Sequence, residues 1–264
     1  MVVKIKNILL TFDIEEFDLP LEFGKEISEE KQFKISKDGT EKIINFLQEK
    51  NIKATFFISA RFAKQYPLLI KKISYNHEVG LHCLKHSDNY SKMDGDTAFK
   101  KIKDGKEIIE RIINKKIIGF RAPRLQPPSY EIISKAGIIY DSSIHPTFMP
   151  GRYNNFFSER KVFLKNNVKI IPLSVSPILR LPIFWLAFRN LPLIYSRYIT
   201  NRNENYVCLI FHSWEFINIK DMDLPILIKR NTGDKIESKL KDYIKWCSEK
   251  KFQFKTIKDY LLIS

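Results

Sequence analysis

Cysteine is scarce and odd in number. The 264 residues hold three, Cys83, Cys208 and Cys247, which form no paired framework; a disulfide scaffold is excluded and a reducing compartment fits. Also missing is any uninterrupted apolar run near the ~20 residues that a membrane-spanning helix needs. The nearest stretch, PILRLPIFWLAFRNLPLIYSRYI at 177–199, is broken by Arg180, Arg189 and Arg197 and by prolines. That composition suits a segment lying on a surface better than one crossing a bilayer, with a substrate-groove wall or buried core as the more ordinary account. The start, MVVKIKNILLTFD, runs from a short apolar stretch straight into acidic residues, without the small-residue cleavage site of a secretory leader. It reads as a first core strand, and the expectation is a cytoplasmic protein with peripheral contact at the inner face of the membrane through 177–199. There is no basic cluster interleaved with aromatics, so no nucleic-acid partner is expected. The formal charge of +15 comes from lysines and arginines scattered along the chain, a balance that favours polyanions or anionic lipid only in a general way.

No repeat, low-complexity tract or linker divides the chain, which reads as one domain over 1–264. A 44% apolar and 28% charged composition places it among packed globular proteins and outside the disordered range. Short apolar runs alternate with segments of helical period, the pattern of a parallel sheet with crossover helices. The predicted strands are NILLTFDI, KATFFIS, EVGLHC, IIGFRAP, GIIYDSS, VKIIPLSV, YVCLIFHSW and FQFKT. Helices are expected at SKDGTEKIINFLQEKN, opening at a Ser36 cap, and at YPLLIKKIS, with Pro67 in the first turn. Others are DTAFKKIKDGKEIIERIIN, SYEIISKAG and GDKIESKLKDYIKWCSEKK. Seven or eight strands with this many crossovers indicate a closed or nearly closed α/β barrel. Residues 144–205 break the rhythm and read as an elaborated insertion over one barrel end.

Unusual polar residues fall at the predicted strand ends: Asp13 and Glu15, then His82 and His86, Arg121, Asp141 and His212. In parallel α/β folds those ends share one face, which holds the site. Asp13 and Glu15, two apart on an extended chain, project to the same side, whereas Glu16 projects to the other. Two imidazoles four residues apart, with one carboxylate, make a three-ligand site with positions open for water, the usual recipe for a hydrolytic metal. Arg121 and His212 interrupt apolar surroundings where an unpaired charge is expensive to bury; Asp13 is the natural partner for Arg121.

Taken in order, TFDIEEFD, HEVGLHCLKH, GFRAPR, YDSSIHPTFMPGRYN and LIFHSWEF resemble the successive motifs of the polysaccharide deacetylase family, the chitooligosaccharide deacetylase homology domain. The first and last look like its exopolysaccharide-associated branch. The resemblance implies a distorted (β/α) barrel of about seven strands that binds zinc or a similar divalent ion through one acidic residue and two histidines. It implies Asp13 as catalytic base, His82 and His86 as metal ligands, Arg121 as the residue orienting the base and His212 as general acid. Where the common first motif has two adjacent aspartates this chain reads Asp-Ile-Glu; strand geometry selects Glu15 as the acidic ligand, with Glu16 as the alternative. Asp141 falls near the fourth motif, where an acidic partner of the acid histidine is common. The implied reaction is hydrolysis of an N-acyl group, acetyl foremost, from an amino sugar in a glycan or lipid-linked precursor. Deformylation of a lipid-linked amino sugar, cyclic-amide hydrolysis and a non-catalytic glycan- or polyanion-binding module are the competing readings.

Overall fold

A computed structural model describes residues 6–263. Eleven strands are formed among them: β1 (Asn7–Ile14), β2 (Thr55–Ser59), β3 (Glu78–Cys83), β4 (Gly119–Phe120), β5 (Tyr140–Asp141), β6 (Phe148–Met149), β7 (Tyr153–Asn154), β8 (Phe163–Lys165), β9 (Val168–Ile170), β10 (Tyr206–His212) and β11 (Gln253–Phe254). The helices are α1 (Leu19–Glu22), α2 (Glu29–Glu49), α3 (Ala60–Gln65), α4 (Pro67–Asn76), α5 (Gly95–Ile113), α6 (Tyr130–Lys135), α7 (Trp185–Asn190), α8 (Leu193–Arg202), α9 (Ile226–Lys229), α10 (Asp234–Glu249) and α11 (Ile257–Leu261).

The main sheet runs β10-β1-β2-β3-β4-β5-β9-β8, with β11 also paired to β1. From β10 to β9 every pairing is parallel, and β8 turns back antiparallel on β9. Seven parallel strands thus make the curled wall of a distorted (β/α) barrel. Strand alternation separates two cores. Ile8, Leu10, Phe12 and Ile14 of β1 join Val207, Leu209 and Phe211 of β10 in the layer beneath the helices. Leu9 joins Phe57, Tyr140, Ile171, Tyr206, Cys208 and Ile210 inside the wall. Between β9 and β10 there is no regular ladder. Pro172 offers no N–H there, and the seam is bridged instead by Ser174: its N–H donates to the Cys208 carbonyl (3.1 Å), and its Oγ accepts from the Cys208 N–H (2.9 Å).

The eight predicted strands all occur, β4, β5, β9 and β11 shorter than expected. Helix α2 starts about two turns before the predicted Ser36 cap. Ser28 is the cap, its side chain accepting from the Lys31 N–H, and Ser36 lies buried in mid-helix. The helix tolerates Gly39 because nothing larger fits: a Cβ there would sit 2.0 Å from the Ser213 carbonyl oxygen. Close approach of α2 thereby seats the 3-10 turn Ser213–Phe216 that follows β10. Gly119 plays the same part inside the barrel, where a Cβ would stand 2.2 Å from the Tyr140 ring.

The stretch 144–205 contains the β6–β7 hairpin, the β8–β9 hairpin, α7 and α8. Its segment 177–199 is not a uniform surface feature. Arg189 is fully buried, whereas Ile178, Leu179, Ile194 and Tyr198 are exposed. Among the described residues no helix is long and apolar enough to cross a membrane.

Candidate active site and metal centre

The alternation that puts Leu9 inside the barrel also puts Asp13 and Glu15 there, two and three steps further along the same face. Registers bring the rest alongside, since Asp13 pairs with His212 across β1 and β10 and Leu81 with Phe120 across β3 and β4. Asp13, Glu15, His82, His86 and His212 line one cavity of about 220 Å³. Leu125, Met149, Phe184, Trp185 and Ile210 give it apolar walls, and Glu22, Arg124 and Arg152 add charged side chains.

Glu15, His82 and His86 are buried, and their ligand atoms lie within 4.8 Å of one another. Glu15 Oε2 is 2.9 Å from His82 Nε2 and 3.1 Å from His86 Nε2. Even so, neither Glu15 Oε2 nor His82 Nε2 has an aligned hydrogen-bond partner. Buried lone pairs converging without a proper hydrogen bond are the geometry of a cation site. His86 Nδ1 is held 2.5 Å from Asp18 Oδ1, the carboxylate–histidine pairing that leaves Nε2 free for a metal. Burial pushes the Glu15 pKa up, but the imidazoles of His86 and His82 outweigh it and hold the carboxyl well below its usual range. Burial opposes the His86 imidazolium too, yet the Glu15 charge and Asp18 raise it to about 9. A divalent cation would replace that positive charge. These residues fit one.

Glu16 is not part of this cluster. It points away, accepts from Ser59 Oγ at 2.6 Å and sits 3.9 Å from Arg61.

Arg121 is wholly buried. Its Nη1 donates to Asp13 Oδ1 (2.9 Å) and Thr11 Oγ1 (2.7 Å), Nε to the Ser142 carbonyl (3.0 Å) and Nη2 to Ser142 Oγ (2.9 Å), with the Phe57 ring beneath it. This network fixes the Asp13 carboxylate beside a permanent charge.

His212 Nδ1 faces Glu215 Oε1 at 3.2 Å, and the same oxygen accepts the His212 backbone N–H at 2.8 Å. Glu215 Oε2 is paired with Arg189 Nη1 at 2.8 Å, both side chains fully buried. Burial would lower the His212 pKa, but the Glu215 hydrogen bond and the nearby carboxylates raise it. With Nδ1 committed to Glu215, Nε2 is the nitrogen offered to the cavity.

Asp141 corrects the expectation of an acidic partner near the fourth motif. Tyr140 takes the inward position on β5, so Asp141 faces outward, its oxygens accepting from Ser143 N (2.9 Å) and Ser143 Oγ (2.5 Å). Burial raises its pKa to about 6. The partner of His212 is Glu215, which the sequence reading passed over. The signal was present in HSWE, a strand-end residue followed three positions later by glutamate, the spacing of a capping box. Asp18 was passed over as well.

Comparison with known proteins shows the family and the fold. The model of the polysaccharide deacetylase family matches residues 2–138, just over half of the chain, and the chain belongs to that family. Over 95 residues it is 32% identical to a peptidoglycan-N-acetylglucosamine deacetylase of Bacillus cereus, a match covering 36% of this chain and 32% of that protein. The chain thus spans about a third of the length of that curated relative. A candidate polysaccharide deacetylase of Mycobacterium smegmatis superposes with a TM-score of 0.67 at 16% identity, over 97% of this chain and 88% of that one. An allantoinase does so with a TM-score of 0.67 at 14% identity, over 98% and 90%. The shared fold therefore does not select the bond that is cut.

Proposed function

We propose that the protein is a metal-dependent hydrolase that removes an N-acyl group, acetyl foremost, from an amino sugar in a glycan or glycan precursor. The observation that carries this reading is the meeting, in one apolar-walled cavity, of an Arg-paired aspartate, a Glu-His-His cluster and a Glu-paired histidine. Family membership supports the reaction class.

Glu15, His82 and His86 would hold the ion, and two imidazoles with one carboxylate suit Zn2+. Such a cation supplies Lewis acidity to the acyl oxygen and acidifies an attacking water. Asp13 takes the proton from that water, and Arg121 keeps its carboxylate aimed during the transfer. His212 Nε2 delivers a proton to the departing amine, which would otherwise leave as a poor anion. Glu215 fixes the tautomer this requires and stabilises the imidazolium. The rings of Trp185 and Phe184 offer flat apolar faces to a sugar.

The test loads the purified protein with zinc and measures acetate and formate release from N-acetylated and N-formylated amino sugars, with metal content measured in parallel. Acetate release that falls by 10²-fold or more in Asp13→Asn and in His212→Ala, with bound metal lost in His82→Ala and His86→Ala, is the expected result. Full metal occupancy in both histidine variants, or wild-type turnover in Asp13→Asn, overturns the assignment. Formate without acetate redirects it to a deformylase.

A further inference from the structure

We infer that the mouth of this cavity is an oxyanion-binding subsite, so that the substrate carries a phosphate or carboxylate close to its N-acyl group. The inference rests on the hydrolase reading and names the substrate class of that same site.

Two arginines from separate loops converge there on one glutamate. Arg124 follows β4, and Arg152 lies in the turn between β6 and β7. Arg124 Nη2 and Nε reach Glu22 Oε1 at 2.7 and 2.9 Å, and Arg152 Nη2 reaches Glu22 Oε2 at 3.2 Å. All three side chains line the cavity together with Asp13, His86 and His212. Two guanidinium charges share one carboxylate, leaving an excess positive charge at an opening with apolar walls. Low-dielectric walls focus such a field on an incoming anion.

The backbone is bent to make this arrangement. Arg124 and Leu125 both have positive φ, +56° and +57°, a conformation that L-residues with a Cβ avoid and that concentrates at ligand sites. The turn holds Arg124 Nη1 3.2 Å from the His86 carbonyl oxygen, next to the candidate metal ligands. Gln126 donates to the Arg152 carbonyl (3.0 Å) and anchors the second loop to the first. Arg152 keeps 46% of its side chain exposed, which leaves part of its planar donor fork open to a phosphate or carboxylate.

The plainer role for the three residues is a clamp tying α1 to two loops, and the two roles differ in sign at Glu22. If the arginines serve only as a clamp, Glu22→Gln weakens whatever the site binds. If they serve an anion, Glu22→Gln releases competing charge and tightens anionic ligands while doing little for neutral ones. Calorimetry on the zinc-loaded protein compares N-acetylglucosamine, N-acetylglucosamine 1-phosphate and N-acetylmuramic acid, with acetate release followed in the same samples. The expected result is that at least one anionic sugar binds tenfold or more tightly than the neutral one. That ratio should collapse on the order of tenfold in Arg152→Gln, the weight of one hydrogen bond to a charged group, and rise in Glu22→Gln. Preference for the phosphate indicates a phosphate-linked sugar, and preference for the carboxylate an acidic sugar. Equal affinity for all three ligands, or an anionic preference that Arg152→Gln leaves intact because the metal alone holds the anion, overturns the subsite. Acetate release with no anionic preference overturns this inference and leaves the hydrolase reading standing, whereas Arg152-dependent anion binding without acyl release does the reverse.

Discussion

Replacing Glu215 by glutamine changes one atom at the centre of a buried charge relay, and its consequences follow from the distances. The carboxylate stands between Arg189 Nη1 at 2.8 Å and the His212 Nδ1 and N groups at 3.2 and 2.8 Å. Arg189 has no exposure to water; its other bonds are to the carbonyls of Leu227 and Ile228, with Trp185 and Trp214 against its guanidinium. The amide keeps the shape and loses the charge, so Arg189 becomes a buried cation with only neutral acceptors. Removing one member of such a pair typically destabilises by about 3–5 kcal/mol. At about 2 °C per kcal/mol for a chain of this size, the melting temperature should fall by about 6–10 °C.

Arg189→Met strands the carboxylate instead and should be comparably destabilised. The double variant, with no charge left to strand, should be more stable than the sum of the two losses predicts, by roughly 1–3 kcal/mol of coupling. Thermal unfolding of the four proteins measures this. Function moves separately from stability. Glu215 raises the His212 pKa, and a general acid works only while protonated, so its loss should draw the alkaline limb of the kcat–pH profile toward lower pH and depress the plateau. Additive stabilities together with an unshifted alkaline limb would refute the relay.

Asp141 gives a test of opposite sense. Its carboxyl holds its proton up to about pH 6 in the fold and up to about pH 4 in the unfolded chain. The burial penalty is therefore absent below about pH 4 and grows as pH rises through the interval, to roughly 3 kcal/mol of lost stability. Asp141→Asn should keep catalysis within about tenfold of wild type, and its stability relative to wild type should rise across that interval; a flat difference, or a catalytic loss as deep as that of Glu215→Gln, contradicts the outward placement. For the exposed Ile178, Leu179, Ile194 and Tyr198 on a chain of charge +15, we propose peripheral contact with anionic membranes at the cytoplasmic face, giving access to lipid-linked precursors. Flotation should carry the protein with phosphatidylglycerol vesicles and less so after Ile178→Ser with Leu179→Ser, and a protein that stays at the bottom with every vesicle composition removes this proposal.

Local periodicity was enough to lay out the seven wall strands and β11, the side of β1 that carries Asp13 and Glu15, and the histidine pair at the end of β3. A strand's alternation is a property of adjacent residues and is written in their order, so Glu15 could be separated from Glu16 before any tertiary contact was known. Arg121 could be paired with Asp13 because a buried guanidinium between apolar residues demands a carboxylate, and few stand at strand ends. What the order of residues did not contain was which charges the folded chain removes from water together. Arg189 belongs to a segment whose composition reads as surface, and only the packing of α7 against β10, beside α9, buries it on Glu215. Asp141 sits at a strand end like the site residues, but Tyr140 holds the inward place, so the same alternation turns the aspartate away. The α2 start, the serine bridge that closes the wall between β9 and β10, and the meeting of Arg124 and Arg152 on Glu22 were likewise settled by tertiary packing. Pairings across scores of residues are selected by the cost of burying polar groups alone, and that cost exists only once the interior has formed.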